Sequence, residues 1–285
     1  MSFYMGYEQS YGSASQVYQF HPTSFIINES ETFISPYFKH DLYLSYHNNI
    51  RSSMRKLVQF KFSINGLEIM MYILRSLLRF SSYVSNTHTF VPKNNSNTST
   101  CTILTNQGYD IQKALITSLK MKFNKVSSLT NEVEGVGFYA QLNPTQNSRS
   151  IDTISNVSAT FTLAGTTLST QEIEIDISQT TSHNFILANT TTNNDLIVSH
   201  GKSHIAFSAL CYMTLTQYDS FITNTSATTN LLIGDTSKGV RLTGTCIYSL
   251  DLEYITKSFV LVKVKGYMIS TDTQVLLYST YGMLP

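Results

Sequence analysis

Residues 157–177 read Val157-Ser158-Ala159-Thr160-Phe161-Thr162-Leu163, then Ala164-Gly165-Thr166-Thr167, then Leu168-Ser169-Thr170-Gln171-Glu172-Ile173-Glu174-Ile175-Asp176-Ile177. Val157, Ala159, Phe161 and Leu163 alternate with Ser158, Thr160 and Thr162. Beyond the turn, Ile173, Ile175 and Ile177 alternate with Glu172, Glu174 and Asp176. Period two with one apolar face marks a half-buried strand, and a short Gly-containing break between two such runs marks a hairpin. The local structure is therefore antiparallel β.

The same pattern extends outward. Val58, Phe60, Phe62 and Ile64 alternate with Gln59, Lys61 and Ser63. Further strands are expected over Val136–Leu142, His204–Thr216, Arg241–Ile255, Phe259–Ile269 and Gln274–Tyr281. The run from Val240 to Tyr254 is long for one strand and is expected to bend at Gly244. In all, about nine strands with polar connections and no strand–helix alternation predict a mainly β, antiparallel sandwich. Two segments break the pattern. Leu67 to Phe80 carries a stripe of Leu67, Met70, Met71, Leu74, Leu77 and Leu78, which predicts a helix. Ile111 to Phe123 reads as a short helix in its first half and a strand in its second.

Composition agrees with strands. Ser, Thr and Asn supply 92 of 285 residues. Charged residues are only 13%, about half the usual ~25%. A hydroxyl-rich surface with few charges is poorly protected against self-association. The first 22 residues are rich in Tyr, Ser, Gln and Gly, as in Tyr7-Glu8-Gln9-Ser10-Tyr11-Gly12-Ser13. Such a segment gains little from its own burial, so it is expected to be an arm held against this chain or a neighbouring copy. The expected layout is an arm and irregular segment over 1–50, then a β-sandwich over 51–285. Within the sandwich, a helical insertion is expected near 67–80 and an exposed loop near 91–108.

The net charge of +1 hides an excess of basic residues at Arg51, Arg55, Lys56, Lys61, Arg75, Arg79, Lys113, Lys120, Lys122 and Lys125. Such a face can meet nucleic acid or an acidic neighbour; its plainer reading is a set of solvated side chains. Cys101, Cys211 and Cys246 are odd in number and far apart, so neither disulfides nor a zinc motif are expected. Cys211 and Cys246 are expected in the core. The N-terminal residues show no secretory signal pattern, and Leu67–Phe80 is too short and too charged for a membrane span. A reducing intracellular setting is expected. Six Asn-x-Ser/Thr sequons, at Asn28, Asn94, Asn97, Asn156, Asn189 and Asn224, match what the composition yields by chance.

Chemical motifs are sparse. His200 and His204 have a helical metal-pair spacing, but Gly201 and a strand start at Ser203 place them on a loop or strand edge. Glu172, Glu174 and Asp176 in a row can bind calcium only with oxygens from other segments; otherwise they form the solvated or interface face of an edge strand. No Gly-x-Ser-x-Gly elbow and no phosphate-binding glycine motif occurs. Phe60 and Phe62 fall on the inward face, opposite Lys61, so they are not a stacking platform for bases. The expectation is a non-enzyme with no catalytic residue, cofactor or metal.

The hydroxyl-rich alternating strands, polar loops and few charges over 130–285 resemble single-jelly-roll viral capsid proteins, the penton or minor capsid proteins of virophage-like AT-rich DNA viruses. The resemblance implies a virion subunit with a jelly-roll sandwich, assembled inside the host cell. Its partners would be other copies, expected as a pentamer, and neighbouring capsid proteins; nucleic acid is a further possible partner. The chain is short for a double jelly roll, and its arm has no arginine before Arg51. A stable monomer with its first 22 residues ordered on its own body would contradict this assembly. The alternative is a carbohydrate- or receptor-binding sandwich such as a spike head or adhesin.

Overall fold

The computed structural model describes residues 3–8, 14, 16–30, 57–93, 100–105, 110–125, 127–140, 145–147, 158–186, 195–269 and 271–279. These residues form seventeen strands and two short helices. The strands of the first half are β1 (Phe3–Tyr7), β2 (Gln16–Phe20), β3 (Ser24–Ser30), β4 (Leu57–Asn65), β5 (Arg79–Val84), β6 (Thr87–Val91), β7 (Cys101–Thr105), β8 (Asp110–Asn124) and β9 (Ser127–Ala140). Those of the second half are β10 (Thr145–Asn147), β11 (Ala159–Leu163), β12 (Thr166–Ile186), β13 (Asp195–Met213), β14 (Ser226–Gly234), β15 (Gly239–Ile255), β16 (Val260–Met268) and β17 (Gln274–Tyr278). The helices are α1 (Met70–Leu77) and α2 (Leu215–Ile222).

The protein is mainly β, and every strand pairing but β2–β10 is antiparallel. One run of eight strands goes β3–β4–β9–β8–β12–β13–β16–β15. A second goes β11–β14–β15–β17–β6–β5. The first half of β8 leads into a third, β7–β1–β2–β10. The hairpin at 157–177 forms as read: Phe161 faces Leu168, and Ala164 and Gly165 both have positive φ, 49° and 80°. Two positive-φ residues make the two-residue turn whose twist matches its strands.

β15 belongs to two runs. Gly239–Thr243 pair with β17, and Cys246–Ile255 pair with β16 on the same side. Gly244 sits at the hand-over with φ 139°, where an added Cβ would lie 2.9 Å from the Thr273 Cα. The bend expected at Gly244 is thus a change of partner. A side chain there meets both a backbone clash and a conformation L-residues rarely adopt. Gly244→Ala is expected to destabilise the fold by about 2 kcal/mol, read as a lower urea midpoint. An unchanged midpoint would contradict it.

The described parts of 1–22 lie against this chain itself, one of the two placements expected of the arm. β1 pairs with β7 and β2, and Met5, Val17 and Phe20 are fully buried. Phe20 packs 5.3 Å from Phe62, centroid to centroid, so aromatic burial compensates the scarcity of aliphatics. The rest of 1–50, from residue 31, lies outside the described residues. Within the loop expected at 91–108, Cys101–Thr105 form a strand with every residue buried; 94–99 and 106–109 lie outside the described residues. The helix expected over 67–80 is confined to Met70–Leu77, with Arg79 and Phe80 already in β5. All of Ile111–Phe123 is strand, its two faces both buried in the first half where β8 passes under α1. Helix α2, inside the expected strand 204–216 and beyond, was signalled by a capping box: Thr214 and Gln217 bond each other's backbone N–H. Cys211 and Cys246 are fully buried, as expected, and so is Cys101.

Candidate functional site

Titratable side chains gather in two places. The first is buried at the C-terminal end of α1. The Ser76 carbonyl accepts from Lys93 Nζ (2.7 Å) and Gln179 Nε2 (3.3 Å), and the Leu77 carbonyl accepts from Ser203 Oγ (2.9 Å). Strands β12 and β13, with Lys93 just beyond β6, thereby satisfy carbonyls that a helix end leaves open. Lys93 is only 3% exposed, and burial pulls its ammonium down to about 8. Nearby, the buried Glu8 carboxylate accepts from Thr100 Oγ1 (2.5 Å), Thr102 Oγ1 (2.9 Å) and the Lys113 N–H (2.7 Å). Burial, with the Glu8 charge behind it, pushes the Cys101 thiol well up, away from thiolate reactivity. The Cys101 Sγ instead lies 3.9 Å from the Tyr72 carbonyl. Every group here serves a helix end or a strand junction.

The second place is the outer face of the eight-strand run. Register aligns its polar positions across strands: Lys61 opposite Glu134, Glu132 opposite Lys120, Lys120 opposite Asp176 and Lys122 opposite Glu174. Across β13, Ser208 and Leu210 carry the row to Lys265 and Lys263, and Lys263 stands opposite Asp251 of β15. Charge therefore alternates by strand, which cross-strand pairing favours. Lys61–Glu134 (2.8 Å), Lys122–Glu132 (2.7 Å), Lys120–Glu174 (2.7 Å) and Lys265–Asp251 (2.6 Å) are ion pairs. The hydrogen bond from Lys122 holds the Glu132 carboxyl below its ordinary value, while burial holds that of Asp176 above it.

This face settles the meaning of two sequence features. Glu172, Glu174 and Asp176 are not on an edge strand: β12 is flanked by β8 and β13, Lys120 of β8 pairs with Glu174, and Asn124 donates to Glu172. The basic residues do not form one basic face among the described residues. Lys61, Lys120 and Lys122 pair with glutamates, Lys113 is buried, and the Arg75 guanidinium lies 3.8 Å over the Tyr7 ring. Arg51, Arg55 and Lys56 lie outside the described residues. His204 is exposed on β13, as is expected of a strand histidine; the side chain of His200 is outside the described set. Among the described residues, no three His, Cys, Asp or Glu side chains gather closely enough to hold a metal ion. No described helix is long and apolar enough to cross a membrane.

The feature that sequence reasoning missed is the β15–β16 hairpin. Of eleven large apolar residues exposed in the described structure, seven lie on it: Ile247, Leu252, Tyr254, Ile255, Phe259, Tyr267 and Ile269. Ile247 faces Tyr267 across the two strands on the outer face. Leu252, Tyr254, Ile255 and Phe259 surround the tip, whose turn is closed by Thr256: its Oγ1 accepts from the N–H groups of Ser258 and Phe259. A register shift between Leu252 and Tyr254 inserts Glu253, which lines a cleft of about 510 Å³ with Lys122, Glu172, Leu210, Leu261 and Lys263. The seven lie on both faces of the hairpin and around its tip, with Ile247 and Tyr267 on the outer face and Leu252 and Ile255 on the inner, so a single element concentrates most of the exposed large apolar side chains.

No protein-family model and no curated protein matches the chain.

Proposed function

We propose that the chain is a structural subunit that assembles with copies of itself into a closed shell, as a single-jelly-roll penton or minor capsid protein of a virion does. The observation that carries this reading is the β15–β16 hairpin, which holds seven of the eleven large apolar side chains exposed in the described structure. The low charge and the internally neutralised outer face support it. In this reading the run containing β12 and β13 and the run containing β14 and β17 are the two leaves of a jelly-roll sandwich that share β15. Arms exchanged between copies have no part in it for β1 and β2, because those strands are built into their own chain. Contacts run instead through strand edges and the hairpin, with neighbouring capsid proteins as further partners.

The alternative, a carbohydrate- or receptor-binding sandwich, would use the 510 Å³ cleft. Among the described residues the one aromatic side chain lining it, Phe123, is 3% exposed. A sugar would find polar groups there but no ring to stack on. Electron microscopy of the purified full-length chain tests the main reading. Rings or closed particles of uniform size are expected; a field of single compact particles at all concentrations would contradict it.

A further inference from the structure

We infer that the open edge of β15, residues 249–255, is filled by β3 of a second copy, so that the eight-strand run continues head to tail from one subunit into the next. This rests on the self-assembly reading and names its interface. The partner β14 stops at Ser226–Ile247, and one last bond, Tyr248 N–H to the Thr225 carbonyl (2.9 Å), closes that flank. Beyond it, no described strand lies beside 249–255. At the other end of the run, β3 pairs with β4 and with no other described strand. Among the described residues both outermost strands thus present open ladders of backbone groups, which native proteins rarely leave uncovered.

The two edges fit each other in direction. Seven antiparallel steps separate β3 from β15, so the two strands run in opposite directions. A copy added in the same orientation therefore meets its neighbour antiparallel, with outer face continuing outer face. They fit in length as well: β3 has seven residues, and so does the open stretch.

They also fit in chemistry. On the inner face, Leu250, Leu252 and Ile255 of β15 would lie beside Phe25 and Ile27 of β3, whose own cross-strand partners are Phe62 and Phe60. On the outer face, Asp251 and Glu253 would meet Ser24, Ile26 and Asn28, with Lys61 one strand further. On this face Asp251 and Glu253 meet uncharged side chains, so no like charges are opposed across the junction. Leu252 and Ile255, each about half exposed, gain cover from Phe25 and Ile27 on the inner face. Two β15 edges facing each other about a two-fold would instead bring Asp251 and Glu253 against their own kind. The contact is therefore heterologous, and such contacts close into rings or propagate as filaments.

The test uses full-length Ser249→Cys and Asn28→Cys, both at exposed positions, in a chain whose own cysteines are buried. A short bismaleimide is added to each variant alone and to their mixture. A covalent two-chain product only in the mixture is expected. Leu252→Lys and Ile26→Asp, also at exposed sites, are each expected to abolish the oligomer while leaving the thermal midpoint of the monomer unchanged. An oligomer without the mixed product, or a product from Ser249→Cys alone, would overturn this interface and leave self-assembly standing. A chain that stays monomeric at its highest soluble concentration would overturn both.

Discussion

Replacing Glu8 by alanine is expected to cost about 4 kcal/mol, the sum of several buried donors left without an acceptor at about 1–3 kcal/mol each. Glu8 follows β1 directly and reaches two other strands: Thr100 and Thr102 at β7, and Lys113 in β8. Of the three donors, the Lys113 N–H is the one fixed by the backbone and unable to rotate away. Lys113 has φ 53°, and the pairing of β8 with β9 skips a step between Gln112 and Leu115, so this N–H points at the carboxylate instead of at the neighbouring strand. Glu8→Gln separates acceptor geometry from charge. Its carbonyl oxygen can keep Lys113 and Thr102, while its amide donates to a reversed Thr100 hydroxyl, so the loss is expected to be about 1–2 kcal/mol. Urea unfolding of the two variants provides the comparison. Equal losses, or no loss in Glu8→Ala, would show that the carboxylate does not hold this junction.

Lys93 gives the second large effect, with a definite pH signature. Its ammonium is brought down from the ordinary 10.5 to about 8 by burial. Below about 8 the lysine is charged in both the folded and unfolded chains, and the burial penalty, about 3 kcal/mol, is present in full. Between 8 and 10.5 only the unfolded chain keeps the proton, so stability rises with pH through this window. Above about 9 the buried thiols act the other way: burial pushes Cys246 up to about 11 and Cys211 up to about 12, so the unfolded chain releases their protons first. The difference between the wild type and Lys93→Met removes these cysteine contributions. The methionine variant is expected to be the more stable at pH 7, with a gap that narrows by about 1 kcal/mol by pH 9. A gap that does not change with pH would mean that the ammonium is not desolvated.

What was legible in the sequence follows local pattern. The hairpin around Ala164-Gly165 and the core placement of Phe60, Phe62, Cys211 and Cys246 come from period-two alternation, which backbone geometry enforces within a few residues. Segments whose burial depends on remote partners were not legible. Met5 and Phe20 lie in a polar stretch and are buried, with Phe3 partly so, because Phe62 and Cys101–Thr105 meet them there. Cys101–Thr105 followed an asparagine-rich stretch and reads as loop until β1 and β8 flank it. The candidate surface was hidden for a related reason. Leu252 and Tyr254 continue the alternation of a long strand, and only the pairing pattern shows that β14 has ended and that Glu253 is inserted between them. The charge columns likewise depend on register: Lys120 and Asp176 are separated by dozens of residues and become neighbours only when β8 lies beside β12.

The central claim is that this fold is finished by copies of itself. Sedimentation equilibrium of the purified full-length chain over a wide concentration range tests it most directly. The account predicts a defined multiple of the 32.1 kDa chain mass, with the ring expected to hold five copies. A single species at one chain mass throughout, stable and folded, would contradict it.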